Sequence, residues 1–140
     1  MRSTARIPGC TAEDVWELIR PAEAALVLVE GCVKAYTEPD TGPGVGEVQH
    51  FVLERDGDET TTRIRITEIE PPYRVVYEIL GLNIPGWGCF EMRERRSGVT
   101  VTYSESFELP LGHELINAAE VQARVDYLTT RIRNVLETRS

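Results

Sequence analysis

Apolar and polar residues alternate with a period near two through the middle of the chain, then switch to a period near 3.6 at its end. That contrast predicts strands followed by a helix. Six consecutive strands are expected, at 30–37, 46–55, 60–70 ("TTTRIRITEIE"), 73–80, 87–95 and within "VTVTYSESFEL". The breaks between them carry turn residues: a glycine-rich loop, Asp56-Gly57, Pro71-Pro72, Pro85-Gly86 and Ser97-Gly98. Short connections of this kind make an antiparallel meander. Before it come a strand, "RSTARI" at 2–7, and two short helical stretches. Thr11, three residues ahead of Asp14 and just before Val15, Leu18 and Ile19, reads as a capping-box start. Pro21 interrupts that helix and suits the first position of the next stretch, "PAEAALVLV". From 114 to 138, Ala118, Val121, Val125, Leu128, Ile132 and Val135 recur at spacings of three and four. This predicts a long helix with one apolar face, ~37 Å from end to end, enough to lie across a small sheet.

The order of elements is α+β. With 140 residues, 41% of them hydrophobic, and no repeat or linker, one domain over 1–140 with one core is expected. The glycine-rich "PDTGPGVGE" at 39–47 invites a phosphate-loop reading, but no Lys-Ser or Lys-Thr follows and the next segment, "EVQHFVLER", is strand-like. It is read as a strand-to-strand connection. A formal charge of −8 argues against nucleic acid and anionic membranes as partners. Cys10, Cys32 and Cys89 are odd in number and lack CxxC spacing, which points to free thiols. No stretch reads as a signal peptide or a membrane span, so a cytoplasmic protein is expected.

"TAEDVWELI", "GPGVGEVQHF", "RITEIEPPYRVVYEI" and "GVTVTYSESFE", in that order, resemble the signature segments of the START/Bet v1-like (SRPBCC) superfamily, in particular its polyketide cyclase/dehydrase-like branch. The resemblance covers nearly the whole chain. Each motif is loose by itself, encoding little more than strand, turn and hydrophobic pattern; order and spacing carry it. It implies a helix-grip fold, in which a curved antiparallel sheet wraps a long C-terminal helix over a deep cavity. It also implies that the glycine-rich segment joins the second and third strands.

Strand alternation then selects the cavity wall. The inward sets are Val101, Tyr103, Glu105 and Phe107; Tyr77 and Ile79; Gln49, Phe51 and Leu53; and Thr62, Ile64 and Ile66. The strand at 87–95 is ambiguous, because Trp87, Cys89 and Glu91 compete with Phe90 and Met92. Resemblance to a pocket aromatic of plant hormone receptors in the superfamily selects the Trp87 set. By the same resemblance Glu30 takes a charged pocket position, with Cys32 and Tyr36 on its face. Val121, Val125 and Leu128 of the last helix close the cavity. The lining is apolar and aromatic with a few polar groups, as small-molecule sites are. Glu105, Glu30 and Glu91 are candidate proton-transfer groups, since a carboxylate desolvated among apolar side chains is shifted toward neutrality. Tyr103 is the candidate hydrogen-bond donor to a developing oxyanion. The alternative for each Glu is a salt bridge or a frayed strand end.

His50 and His113 are 63 positions apart, and no metal site or cofactor is indicated. His50 falls on the outward parity. "LGLNIPG" at 80–86 reads as a lid carrying Leu82 and Ile84. The resemblance implies a cofactor-independent cyclase or dehydratase acting on a hydrophobic polyketide-like molecule. A non-catalytic binder or carrier of a lipid, isoprenoid or aromatic ligand is the alternative, and a protein-interaction module like the superfamily's chaperone activators is a third. A monomer or homodimer would serve any of them.

Overall fold

The structure is a computed structural model and describes residues 1–108 and 118–139. Seven strands form one antiparallel sheet: β1 (Arg2–Pro8), β2 (Cys32–Thr37), β3 (Val48–Arg55), β4 (Asp58–Glu70), β5 (Arg74–Leu80), β6 (Gly86–Arg95) and β7 (Gly98–Phe107). Their spatial order is β1-β7-β6-β5-β4-β3-β2. The meander runs from β2 to β7, and β1 pairs with β7 at the far edge. The curled sheet is packed by α1 (Ala12–Ile19), a 3-10 turn (Ala22–Ala24), α2 (Ala25–Leu28) and α3 (Ala118–Arg139). This is the expected helix-grip architecture. His113 and the expected first turn of the last helix at 114–117 lie outside the described residues.

Local chemistry explains the short helices. Thr11 accepts from the Asp14 amide at 3.2 Å while the Asp14 side chain accepts from the Thr11 amide at 2.8 Å, so the capping box satisfies two otherwise unpaired donors at the start of α1. Pro21 sits one residue earlier than expected, as the extended residue before the 3-10 turn. The turn between β2 and β3 needs glycine at Gly42, where φ is +75° and an added Cβ would lie 2.7 Å from the Glu47 side chain.

The larger core cluster joins Ile7, Val15, Trp16, Ile66, Met92, Val99 and Val101 to Ile132 and Leu136 of α3. A second centres on Tyr103, Val121 and Val125. The buried stripe of α3 includes Thr129, which hydrogen-bonds Ser3 at 2.7 Å and ties the helix to β1. Val135, expected in that stripe, is only partly buried.

Two expected strand faces are reversed. In β6 the inward residues are Gly86, Gly88, Phe90 and Met92, with Met92 fully in the core, so Trp87, Cys89 and Glu91 lie on the convex face. Gly88 is inward because Tyr77 occupies the space its side chain would need: an added Cβ would lie 2.2 Å from the ring. In β2 a bulge between Cys32 and Lys34 inserts one residue. Cys32 shares the face of Leu53, but after the bulge Ala35 pairs with Phe51 inside, and Tyr36 turns outward to stack on His50 at 4.8 Å. Glu30 is in the exposed turn before β2.

Candidate functional site

A cavity of about 100 Å³ opens between the short helices and the sheet. Ile19, Ala24, Ala25, Leu28 and Val29 form its roof; Phe51, Ile64, Ile66, Val75 and Phe90 form its floor; Leu128 of α3 closes one side. Arg20, Gln49 and Tyr77 supply the polar side chains of the wall. The shape follows from local sequence: β3, β4 and β5 present alternating large apolar residues, while "PAEAALVLV" presents small alanines opposite them and leaves a gap.

Gln49, Phe51, Ile64 and Tyr77 are in the wall as expected. Leu53 and Ile79 share the inward face but lie beyond the cavity, partly buried. Val121 and Val125 are buried behind it with Tyr103 and Phe107 rather than lining it. Neither Leu82, which is exposed, nor Ile84, which is buried, reaches the wall. Tyr36, Trp87, Cys89, Glu91 and Glu30 are excluded from it by the reversed strand faces and by the turn position of Glu30. Cys89 instead approaches Glu91 on the convex face, where burial and that carboxylate push its thiol pKa up against the opposing effect of Arg74.

Two buried polar chains end at this wall. The first begins with Tyr77, whose hydroxyl meets that of Tyr103; Tyr103 donates to Glu105 Oε2 at 2.6 Å, and Glu105 is ion-paired with Arg124 of α3. Glu105 and Tyr103 are therefore brought together as expected, on one face of β7. The arginine partner, raised as an alternative for Glu105, is also present. Burial pushes the phenol pKa values of Tyr77 and Tyr103 upward, reinforced by the nearby Glu105 carboxylate, so both keep their protons at neutral pH.

In the second chain, Glu47, only 3% exposed, receives Arg20 in a two-point pair at 2.8 and 3.2 Å, Gln49 Nε2 at 2.6 Å and the Thr37 hydroxyl at 3.4 Å. Burial alone would raise its pKa, but the hydrogen bonds from Arg20 and Gln49 together with the Arg20 charge outweigh it, and the net shift is downward. This network was not anticipated. One signal for it exists: Glu47 shares the parity that sends Gln49 inward.

Among the described residues no three His, Cys, Asp or Glu side chains gather as a metal ion would need, and no helix is long and apolar enough to cross a membrane. No family model and no curated protein matches the chain. Solved structures do. Ara h 8.0201 aligns over 99% of this chain and 97% of its own at 15% identity, with a TM-score of 0.77. Major latex-like protein 151 from Panax ginseng aligns over 96% and 95% at 12% identity, with a TM-score of 0.78. Protein NE0264 from Nitrosomonas europaea aligns over 99% and 94% at 12% identity, with a TM-score of 0.76. At such identities the likeness is one of fold.

Proposed function

We propose, for a chain that has the Bet v1-like helix-grip fold, that it binds a hydrophobic small molecule in the cavity beneath its two short helices. The observation that carries this reading is the wall itself: thirteen apolar residues and three polar ones, drawn from eight elements and the connections between them, surround one gap. A core closed for stability alone would be filled, because each void forfeits packing. Naphthalene is a suitable probe. It should saturate one site per chain, and Ala25→Leu, which extends a roof residue into the gap, should weaken it about tenfold or more with the fold intact. Equal binding by the variant would refute this location.

One observation favours a second reading, an acid/base enzyme of the cyclase or dehydratase kind. The Tyr77–Tyr103–Glu105 chain connects the cavity wall to a buried carboxylate, so a ligand proton passed to Tyr77 can be matched by transfers from Tyr77 to Tyr103 and from Tyr103 to Glu105. On this reading Glu105 is the terminal base and Tyr103 the relay rather than the oxyanion donor, since its one hydrogen is committed to Glu105. Binding stands first because Arg124 already matches the charge of Glu105. Glu105→Gln separates the two readings: kcat for a turned-over substrate should fall about 10²-fold if the relay is catalytic, and unaltered turnover would leave Glu105 a structural group.

A further inference from the structure

The two polar chains that end at the cavity share a property visible only when their hydrogens are counted. Each is anchored at its far end by a carboxylate paired with an arginine, Glu105 with Arg124 and Glu47 with Arg20. An ionised carboxylate only accepts, so it dictates the direction of every hydrogen bond leading to it. Tyr103 must give its single hydrogen to Glu105 Oε2, at 2.6 Å. Tyr77 must then give its own to Tyr103, because two hydroxyls in contact need one donor between them. The Tyr77 oxygen is left with lone pairs and no hydrogen to offer. Gly88 leaves room for that hydroxyl, since a Cβ there would lie 2.4 Å from it, and Tyr77 itself belongs to the cavity wall.

The same logic fixes Gln49. Its side-chain nitrogen faces two acceptors, Glu47 Oε2 at 2.6 Å and the Arg20 carbonyl at 3.3 Å, so the amide can be placed only with the nitrogen on that side and both its hydrogens consumed. Its oxygen receives no hydrogen bond from any described residue, and among those residues no fully covered side-chain oxygen lacks a partner. With the nitrogen turned to Glu47 and Arg20, the oxygen is the polar atom that Gln49 has left to offer the cavity it lines. Arg20, the third polar residue of the wall, holds its guanidinium against Glu47 and presents a neutralised pair, not a free cation.

From this we infer that the cavity selects a hydrophobic ligand carrying a hydroxyl or N–H donor, which bonds Tyr77 Oη or Gln49 Oε1, and discriminates against the same skeleton bearing only acceptors. The inference rests on the cavity reading given above and names its ligand class. An acceptor-only ligand would bring its lone pairs against those of the wall and leave both sides unpaired. A carboxylate would meet two acceptors and an arginine whose charge is already matched. A phenol or alcohol completes both chains without disturbing them.

The test compares three probes of one skeleton on the intact protein: 2-naphthol, 2-methoxynaphthalene and naphthalene, each titrated and followed by fluorescence. In the wild type 2-naphthol should bind about five- to tenfold more tightly than either of the others, the scale of one hydrogen bond. Tyr77→Phe and Gln49→Met, each checked for cooperative melting, should bring the three probes within about threefold of one another, separately or together. The wild-type comparison stands without any variant. If naphthalene binds and 2-naphthol binds no better, the donor inference is overturned while the cavity reading survives. If none of the three binds, the cavity reading falls and the inference with it.

Discussion

Replacing Arg20 by Met tests how the glycine-loop end of the cavity is held. Arg20 and Glu47 are 27 positions apart, and the pair joins the end of α1 to the first residues before β3. In Arg20→Met the Glu47 carboxylate, 3% exposed, keeps Gln49 and Thr37 as donors but loses its two-point cation. Breaking a buried pair from one side costs about 3–5 kcal/mol. Because the Arg20 side chain is itself 19% exposed, part of the loss is screened, and about 3 kcal/mol is expected. For a chain of this size that lowers the melting temperature by about 10 °C. The sign with pH follows from the lowered pKa of Glu47, held below the usual 4.5 by Arg20 and Gln49. Its stabilisation is fully present above the unfolded value and is lost as pH falls through the folded one. The gap between wild type and variant should therefore be widest near neutrality and shrink below about pH 4. Urea unfolding across pH measures it directly. Adding Glu47→Leu to the variant should recover most of the loss, since no buried charge is then left alone. A loss under about 1 kcal/mol, or a gap that does not change with pH, would show that Arg20 and Glu47 behave as a surface pair and refute the reasoning.

Gly88→Ala should cost about 1–3 kcal/mol in urea unfolding, because the new methyl would lie 2.2–2.5 Å from the Tyr77 ring and hydroxyl and must displace them; wild-type stability would mean that Tyr77 does not occupy that space. Tyr36→Ala removes a convex-face aromatic stacked on His50 and should leave naphthalene affinity within about twofold, whereas a tenfold loss would restore Tyr36 to the cavity wall. Ile132→Ala, at a fully buried position of α3 against the sheet, should cost about 2–5 kcal/mol of stability and leave one naphthalene site per chain.

Strand positions, their turns and the capping box at Thr11 were legible in the sequence, because periodicity and turn chemistry act over a few residues. The inward faces of β3, β4, β5 and β7 were legible for the same reason. Two faces were not. In β6 Phe90 and Met92 mark the inward parity, but the other inward positions, Gly86 and Gly88, are glycines that make room for Phe107 and Tyr77 and carry no hydrophobic signal, so the pattern is ambiguous and the resemblance selects the wrong set. In β2 a single inserted residue exchanges the faces, and nothing in "CVKAYT" announces a bulge. The roof was missed because "PAEAALVLV" reads as a small helix without revealing what it covers. Arg124 was missed as the partner of Glu105 because their pairing depends on where α3 crosses the sheet, a long-range property that local pattern does not encode.

The most direct test of the account is the crystal structure of the protein grown with 1-bromonaphthalene, whose bromine marks the ligand by anomalous scattering. One principal bromine site is expected beneath α2, with the ring against Phe51, Val75 and Phe90. An empty gap with bromine found only on the convex face or at the surface would contradict it.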